Sequence, residues 1–302
     1  MFQPNGIIPA MITPFYSNQD LNESALRHLV TKLLAAGAHG LFCLGTNGEF
    51  FSLTFEEKVR VAEIIVDEVK GRVPVYVGVG QISTDETVRL ARKMEDIGAD
   101  ALSVITPFFL TFTQKELSGH YRRIAEATSL PIVLYNIPAR TGNHLKPATV
   151  AELAAIDNIV GIKDSSGSFD TILQYIEQSG PEFSVLAGTD SLILPTLMAG
   201  GKGAIAATAN VFPEAVVSIY EHWKQGNYDQ AENSQRVLRD LRNAFQLGTL
   251  PSVLKEAMNL IGFPAGPPRS PVSPITGTER AELVRIIDNY INNGLLHAES
   301  IS

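Results

Sequence analysis

Lys163 closes the run Asn158-Ile159-Val160-Gly161-Ile162, which carries no charge of its own. An amine at the end of such a run keeps its stem in apolar surroundings. Desolvation there disfavours the ammonium and leaves a neutral amine able to form a Schiff base with a ketone. The competing assignment is a lysine that snorkels to solvent or pairs with a carboxylate such as Asp164. Tyr135 ends a second apolar run, Leu130-Pro131-Ile132-Val133-Leu134. A phenol near an amine can shuttle protons, or it can be a core tyrosine with a bonded hydroxyl. The turn Gly45-Thr46-Asn47-Gly48-Glu49 offers successive backbone N–H groups of the kind that hold a carboxylate or a phosphate. Arg140, in a loop flanked by proline and glycine, could clamp a carboxylate bidentately or stand solvated.

Other chemistries find no footing. The six histidines (His28, His39, His120, His144, His222 and His297) are scattered, and only His144 falls near a candidate strand end. A metal centre would want several histidine and carboxylate ligands together, so no metal is expected. Gly200-Gly201-Lys202 lacks the upstream glycine of a phosphate-binding loop, and no Gly-x-Ser-x-Gly elbow occurs. Ser252-Val253-Leu254-Lys255 matches Ser-x-x-Lys but reads as part of an ordinary helix. Cys43, the only cysteine, lies inside an apolar run, so it forms no internal disulfide and reads as an inert core residue.

Those residues need a scaffold, and the chain repeats one. Short aliphatic runs alternate with longer segments of helical period. The runs begin at Gly6, Gly40, Val73, Ala99, Leu130, Asn158, Phe183 and Gly203, which makes eight candidate strands. Between them, Ala25, Leu26, Leu29, Val30, Leu33 and Leu34 keep the spacing of one buried helix face, with Gly37 as C-cap candidate. Thr54 with Glu57, and Ser83 with Glu86, have capping-box spacing, and Asn22 reads as a helix start rather than a glycosylation site. Strands alternating with helices imply parallel pairing with right-handed crossovers. The class is therefore α/β, and eight repeats close as a (β/α)8 TIM barrel. An open doubly wound sheet would advertise a Gly-rich first turn, and Gly78-Val79-Gly80 lacks the third glycine of that motif. Lys202 precedes its strand and belongs on the opposite face.

From Phe212 the strand signal stops. Helices are expected near 212–225, 228–246, 251–261 and 279–294, with a Pro-rich connector from Phe263 to Pro274. The reading is a barrel over residues 1–225 and a C-terminal helical extension over 226–302, packed on it. The 302 residues carry 24 Lys+Arg against 32 Asp+Glu, a formal charge of −8, which argues against nucleic acid as a partner. No apolar stretch reaches membrane-spanning length, and Met1–Phe15 has no basic segment followed by a long apolar core. The expectation is a soluble, cytoplasmic protein.

Together the Gly45–Glu49 turn, Tyr135-Asn136-Ile137-Pro138, Arg140-Thr141-Gly142 and Gly161-Ile162-Lys163-Asp164 resemble the dihydrodipicolinate synthase / N-acetylneuraminate lyase family of Schiff-base aldolases. The resemblance covers nearly the whole chain. It implies that Lys163 forms an imine with pyruvate or another 2-oxo acid and that Tyr135 shuttles protons. It further implies that Thr46 and Asn47 bind the pyruvate carboxylate and that Gly188 and Ile205 line the pocket. No cofactor would be needed, the partner would be a small-molecule 2-oxo acid, and the assembly would be a homotetramer, a dimer of dimers. Synthases of the family resemble this chain but typically carry threonine where Asn47 stands and a tyrosine where Phe109 stands. That tyrosine enters the neighbouring subunit's site and completes a proton relay, and phenylalanine carries no proton. Arg140 points the other way, since an arginine there typically holds the aldehyde's carboxylate in the synthases.

On these departures the sequence alone favours reversible cleavage of a 2-keto-3-deoxy sugar acid, such as 2-keto-3-deoxygluconate, or of a hydroxy-oxo acid, to pyruvate and an aldehyde. The alternatives are a 4-hydroxy-tetrahydrodipicolinate (dihydrodipicolinate) synthase, an N-acetylneuraminate lyase or an oxo-acid dehydratase. A non-catalytic paralogue that binds an oxo acid is a further possibility.

Overall fold

A computed structural model describes residues 2–296, so His297 and the last residues of the extension lie outside the described part. All eight apolar runs contain a strand: β1 (Gly6–Pro9), β2 (Leu41–Cys43), β3 (Val75–Gly78), β4 (Ala101–Ile105), β5 (Ile132–Asn136), β6 (Ile159–Asp164), β7 (Ser184–Ala187) and β8 (Gly203–Ala206). They pair in parallel in the order β1-β8-β7-β6-β5-β4-β3-β2. The ends of that order also meet: Ala10 bridges Phe42, and the Met11 N–H donates to the Phe42 carbonyl at 2.9 Å. That closure makes a (β/α)8 barrel and excludes the open sheet.

The barrel helices are α1 (Glu23–Ala35), α2 (Phe55–Val69), α3 (Thr84–Ile97), α4 (Gln114–Ala125), the single turn α5 (Pro138–Thr141), α6 (Pro147–Leu153), α7 (Phe169–Gln178), α8 (Ile193–Met198) and α9 (Pro213–Lys224). Four more follow: α10 (Tyr228–Val237), α11 (Arg239–Ala244), α12 (Leu250–Leu260) and α13 (Gly277–Asn292). Most helix ends obey local rules. Asn22 Oδ1 accepts from the Ala25 N–H at 3.0 Å and starts α1. Thr54 and Glu57 form the reciprocal box that starts α2. Gly37, at φ +83°, ends the first helix with two bonds, its own N–H to Leu34 O and the Ala38 N–H to Leu33 O. The Ser83–Glu86 box does not form. The Ser83 carbonyl instead accepts from the Thr87 hydroxyl at 3.0 Å, which in turn accepts from the Gln81 N–H at 3.0 Å.

Alternation along each strand divides the core in two. Ile8, Phe42, Val133, Leu186 and Ile205 belong to a cluster inside the barrel, and the larger cluster lies between strands and helices. Cys43 is buried in β2, and burial pushes its thiol up to about 12. Lys202 lies at the N-terminal edge of β8, where its carbonyl accepts from the Gly6 N–H.

The helix expected over 228–246 is broken at Leu238. Gln235 ties the end of α10 to the barrel: its Nε2 donates to Asp190 O at 2.9 Å, and its Oε1 accepts from the Leu194 N–H at 3.0 Å. Beyond that anchor α11 crosses towards the barrel mouth. We propose a barrel over residues 1–225 and an extension from residue 226, fastened to the barrel through Gln235.

Candidate active site

In a parallel barrel the residues just past the strand C-termini crowd one mouth. Tyr135 on β5 and Lys163 on β6 are register partners there. Lys163 is 4% exposed, and its Nζ lies 4.1 Å from the Tyr135 ring centre and 4.9 Å from that of Phe42. Among the described residues no carboxylate lies within ion-pair distance of this Nζ. The next residue, Asp164, faces the other side of the strand. It accepts from Asn136 Nδ2 at 2.7 Å and from the Ser166 hydroxyl at 2.6 Å. Burial raises the Asp164 carboxyl above its usual range, and these bonds oppose the rise. A Lys163–Asp164 pair is therefore not formed. His144 belongs to the Asp164 side, with its Nδ1 3.2 Å from Asn136 Nδ2, and burial lowers its imidazole.

The Tyr135 hydroxyl lies 3.4 Å from Thr46 Oγ1. Thr46 and Asn47 sit on a turn bounded by Leu44 at φ +57° and Glu49 at φ +55°. The Thr13 hydroxyl donates to Gly48 O at 2.8 Å, and Asn47 Nδ2 donates to Ala10 O at 3.3 Å. Asn47 Oδ1 is buried without a partner, and among the described residues the Thr46 and Asn47 N–H groups meet no acceptor. Free donors at the end of a tight turn suit a small carboxylate.

Gly188 must be glycine for contact reasons. A Cβ there would stand 2.2 Å from Ser165 Oγ and 2.8 Å from Asp164 O.

Lys163, Tyr135, Thr46, Asn47, Arg140, Gly188 and Ile205 all line one cavity of about 260 Å³. Arg242, Phe245, Gln246 and Leu250 line it as well, and sequence reasoning missed them. They come from the chain after residue 226, where an arginine on an amphipathic helix carries no mark of a site. Asp190, just past β7, also lines the cavity and is held by the Ala207 and Thr208 N–H groups at 3.2 and 2.6 Å. The lining thus carries Lys163, Arg140 and Arg242 against one carboxylate, so the local field favours anions although the chain is at −8. Phe109 lies outside this cavity, 87% exposed and at φ +83°.

Glu49 turns away from the cavity. Its Oε1 lies 2.5 Å from Lys255 Nζ, both side chains being fully buried, and its Oε2 accepts from the Arg269 N–H at 2.8 Å. Burial pulls the Lys255 ammonium down to about 8, against the Glu49 carboxylate, which raises it. Lys255 is on α12, in the helix expected over 251–261, but its buried partners set it apart from an ordinary helix lysine. Among the described residues no group of three or more His, Cys, Asp or Glu side chains could hold a metal ion, and no helix is long and apolar enough to cross a membrane.

A buried lysine beside a phenol at the mouth of a closed parallel barrel fits a carbon–carbon lyase of the aldolase class. Comparison with known proteins gives the family. The model of the dihydrodipicolinate synthetase family matches residues 3–290, and the chain belongs to that family. It is 44% identical, over 90% of its length and 91% of the relative's, to the 4-hydroxy-tetrahydrodipicolinate synthase of Methanopyrus kandleri. A crystal structure of a dihydrodipicolinate synthase superposes with a TM-score of 0.92 at 35% identity, covering 97% of this chain and all of the other. YagE of E. coli K12, a protein of the same family solved in complex with pyruvate, superposes with a TM-score of 0.91 at 35% identity, covering 94% of this chain and 98% of the other.

Proposed function

We propose that this enzyme joins pyruvate to Lys163 as an imine and condenses it with aspartate semialdehyde, the reaction of a 4-hydroxy-tetrahydrodipicolinate synthase. The observation that carries the imine is the Lys163 amine, buried against two aromatic rings and, among the described residues, clear of any carboxylate. Its lone pair attacks C2 of pyruvate, and the carbinolamine loses water to give the protonated imine. That cation draws electrons, so a C3 proton leaves and an enamine forms. The enamine C3 attacks the aldehyde carbon, whose oxygen takes up a proton, and the amine of the aspartate semialdehyde part then attacks the imine carbon, closing the ring and releasing the Lys163 amine.

Tyr135 carries these protons, a role supported by its ring centre 4.1 Å from Lys163 Nζ and its hydroxyl 3.4 Å from that of Thr46. The Thr46 and Asn47 N–H groups hold the pyruvate carboxylate, and Arg140 the carboxylate of the aldehyde. The imine is its own electron sink, so the reading needs no cofactor. Similarity to synthases over nine-tenths of the chain supports this substrate pair over the sugar acid favoured by sequence alone.

One observation favours the second reading, cleavage of a 2-keto-3-deoxy sugar acid: Phe109 supplies no hydroxyl. The same proposal has the enzyme act in the cytoplasm as a homotetramer, supported by the exposed apolar side chains Phe109 and Leu110, which a neighbouring copy would cover.

Borohydride reduction in the presence of pyruvate, followed by peptide mass spectrometry, tests the imine. A pyruvyl adduct is expected on Lys163 and none in Lys163→Ala. An unmodified Lys163 would leave only a non-catalytic oxo-acid binder. Consumption of pyruvate with aspartate semialdehyde, set against pyruvate release from 2-keto-3-deoxygluconate, sialic acid and 4-hydroxy-2-oxoglutarate, then selects the substrate.

A further inference from the structure

We propose that the buried Glu49–Lys255 ion pair is a positioning device for the 2-oxo acid carboxylate, so that α12 takes part in substrate binding without touching substrate. The inference rests on the reading that Thr46 and Asn47 bind that carboxylate.

The turn that carries Thr46 and Asn47 is not held by its own backbone preferences. Leu44 and Glu49, at its two ends, both adopt left-handed conformations that side-chain-bearing residues rarely take. Such a turn persists only if its surroundings over-determine it. Beside the Asn47 amide on Ala10 O, two fastenings do so: the Thr13 hydroxyl on Gly48 O, and the Glu49 carboxylate.

The second is the stronger. The Glu49 carboxylate receives the Lys255 ammonium on one oxygen and the Arg269 N–H on the other. Lys255 Nζ donates also to Pro267 O at 3.1 Å and sits 4.0 Å above the Phe15 ring. The Arg269 guanidinium caps the other contact, 4.3 Å from the Phe15 ring centre and bonded to Glu57 at 2.6 and 2.7 Å. The Glu49 side chain thus has one place to be, and it is two residues from Asn47.

A fully buried ion pair is a poor device for stability, because desolvating both charges offsets much of their attraction. Its better-attested use is to specify one arrangement among several. Here the arrangement specified is a turn whose N–H groups at Thr46 and Asn47 stay free for a ligand.

The test uses the full-length protein with Lys255→Met, Glu49→Gln and the double variant. Pyruvate concentration for half-maximal borohydride trapping is measured beside the KM of the aldehyde, kcat and Tm. Lys255→Met should lower Tm and raise the pyruvate half-saturation about tenfold to a hundredfold, since small misplacements of a binding group cost that much. The aldehyde KM should stay within about twofold. The double variant leaves no bare charge, so it should recover Tm yet keep the weakened pyruvate affinity.

If Lys255→Met does not fold, the double variant decides. Pyruvate half-saturation that returns to the wild-type value with Tm would mean a purely structural pair and would overturn the inference alone. Wild-type protein that traps no pyruvate would overturn the reading of the site itself, and the inference with it.

Discussion

Tyr135 and Lys163 are register partners on adjacent parallel strands, and that pairing alone brings the lysine Nζ to 4.1 Å from the tyrosine ring centre. Neighbouring strands lie about 4.8 Å apart, so two inward-facing partners at one level must touch. Thr46, arriving from the end of β2, extends the contact to a third group through the 3.4 Å approach of its hydroxyl to the phenol.

The phenol can therefore be removed without moving the amine. Tyr135→Phe should lower kcat by roughly 10²–10⁴-fold, the usual worth of a positioned proton carrier. Borohydride should still trap pyruvate on Lys163, more slowly. Steady-state kinetics beside trapping rates check this; a kcat that barely changes would make Tyr135 a core tyrosine and nothing more.

Arg140 and Arg242 line the cavity from different segments of the chain. Replacing either with alanine should cut kcat/KM for a carboxylate-bearing aldehyde by roughly ten- to a hundredfold, the worth of one charge-assisted hydrogen bond. Half-saturation by pyruvate should hardly move. Measuring both at low and high ionic strength adds a second check, because screening should shrink the difference. Unchanged kinetics in Arg242→Ala would remove α11 from the site.

Phe109→Tyr restores a hydroxyl at an exposed position. If synthase chemistry is otherwise in place, the condensation rate should rise, by roughly tenfold or more. Stability should change little, since tyrosine keeps the phenylalanine ring and adds only a hydroxyl. Assay of pyruvate with aspartate semialdehyde reads the outcome, and no gain would show that other residues exclude that aldehyde.

His120 makes stability depend on acid. Its Nδ1 lies 2.8 Å from Thr84 Oγ1, its Nε2 is buried without a partner, and burial pushes its imidazole down to about 4. An unfolded histidine titrates near 6.5, so below that pH the unfolded chain takes up a proton that the fold refuses. Stability is expected in full above about pH 6.5 and to fall as pH drops towards 4, by up to about 3 kcal/mol. Urea midpoints across this range should show the loss in the wild type, and His120→Gln should flatten it. Parallel curves would place the acid sensitivity elsewhere.

Much of the architecture is written in local patterns. Eight β-prone apolar runs, the glycine after α1 and the Thr54–Glu57 box each act through residues a few positions away, so the chain itself displays them. Lys163 was legible for a related reason, since a charge that closes an uncharged strand stands out at once. Ser83 shows the limit. Its spacing is right, but in the folded chain the Ser83 side chain makes no cap bond.

What the sequence by itself determined is the repeat, the barrel it closes into, and the residues that end its strands. What only the tertiary structure decided is everything that depends on distant segments meeting. Arg242 and Phe245 at the cavity, Glu49 buried on Lys255, and Asp164 turned away from Lys163 belong to this group. The physical reason is that periodicity reports which face of an element is buried, but not what it is buried against. The meeting of the barrel mouth with α11 and α12 is set by packing over the whole molecule.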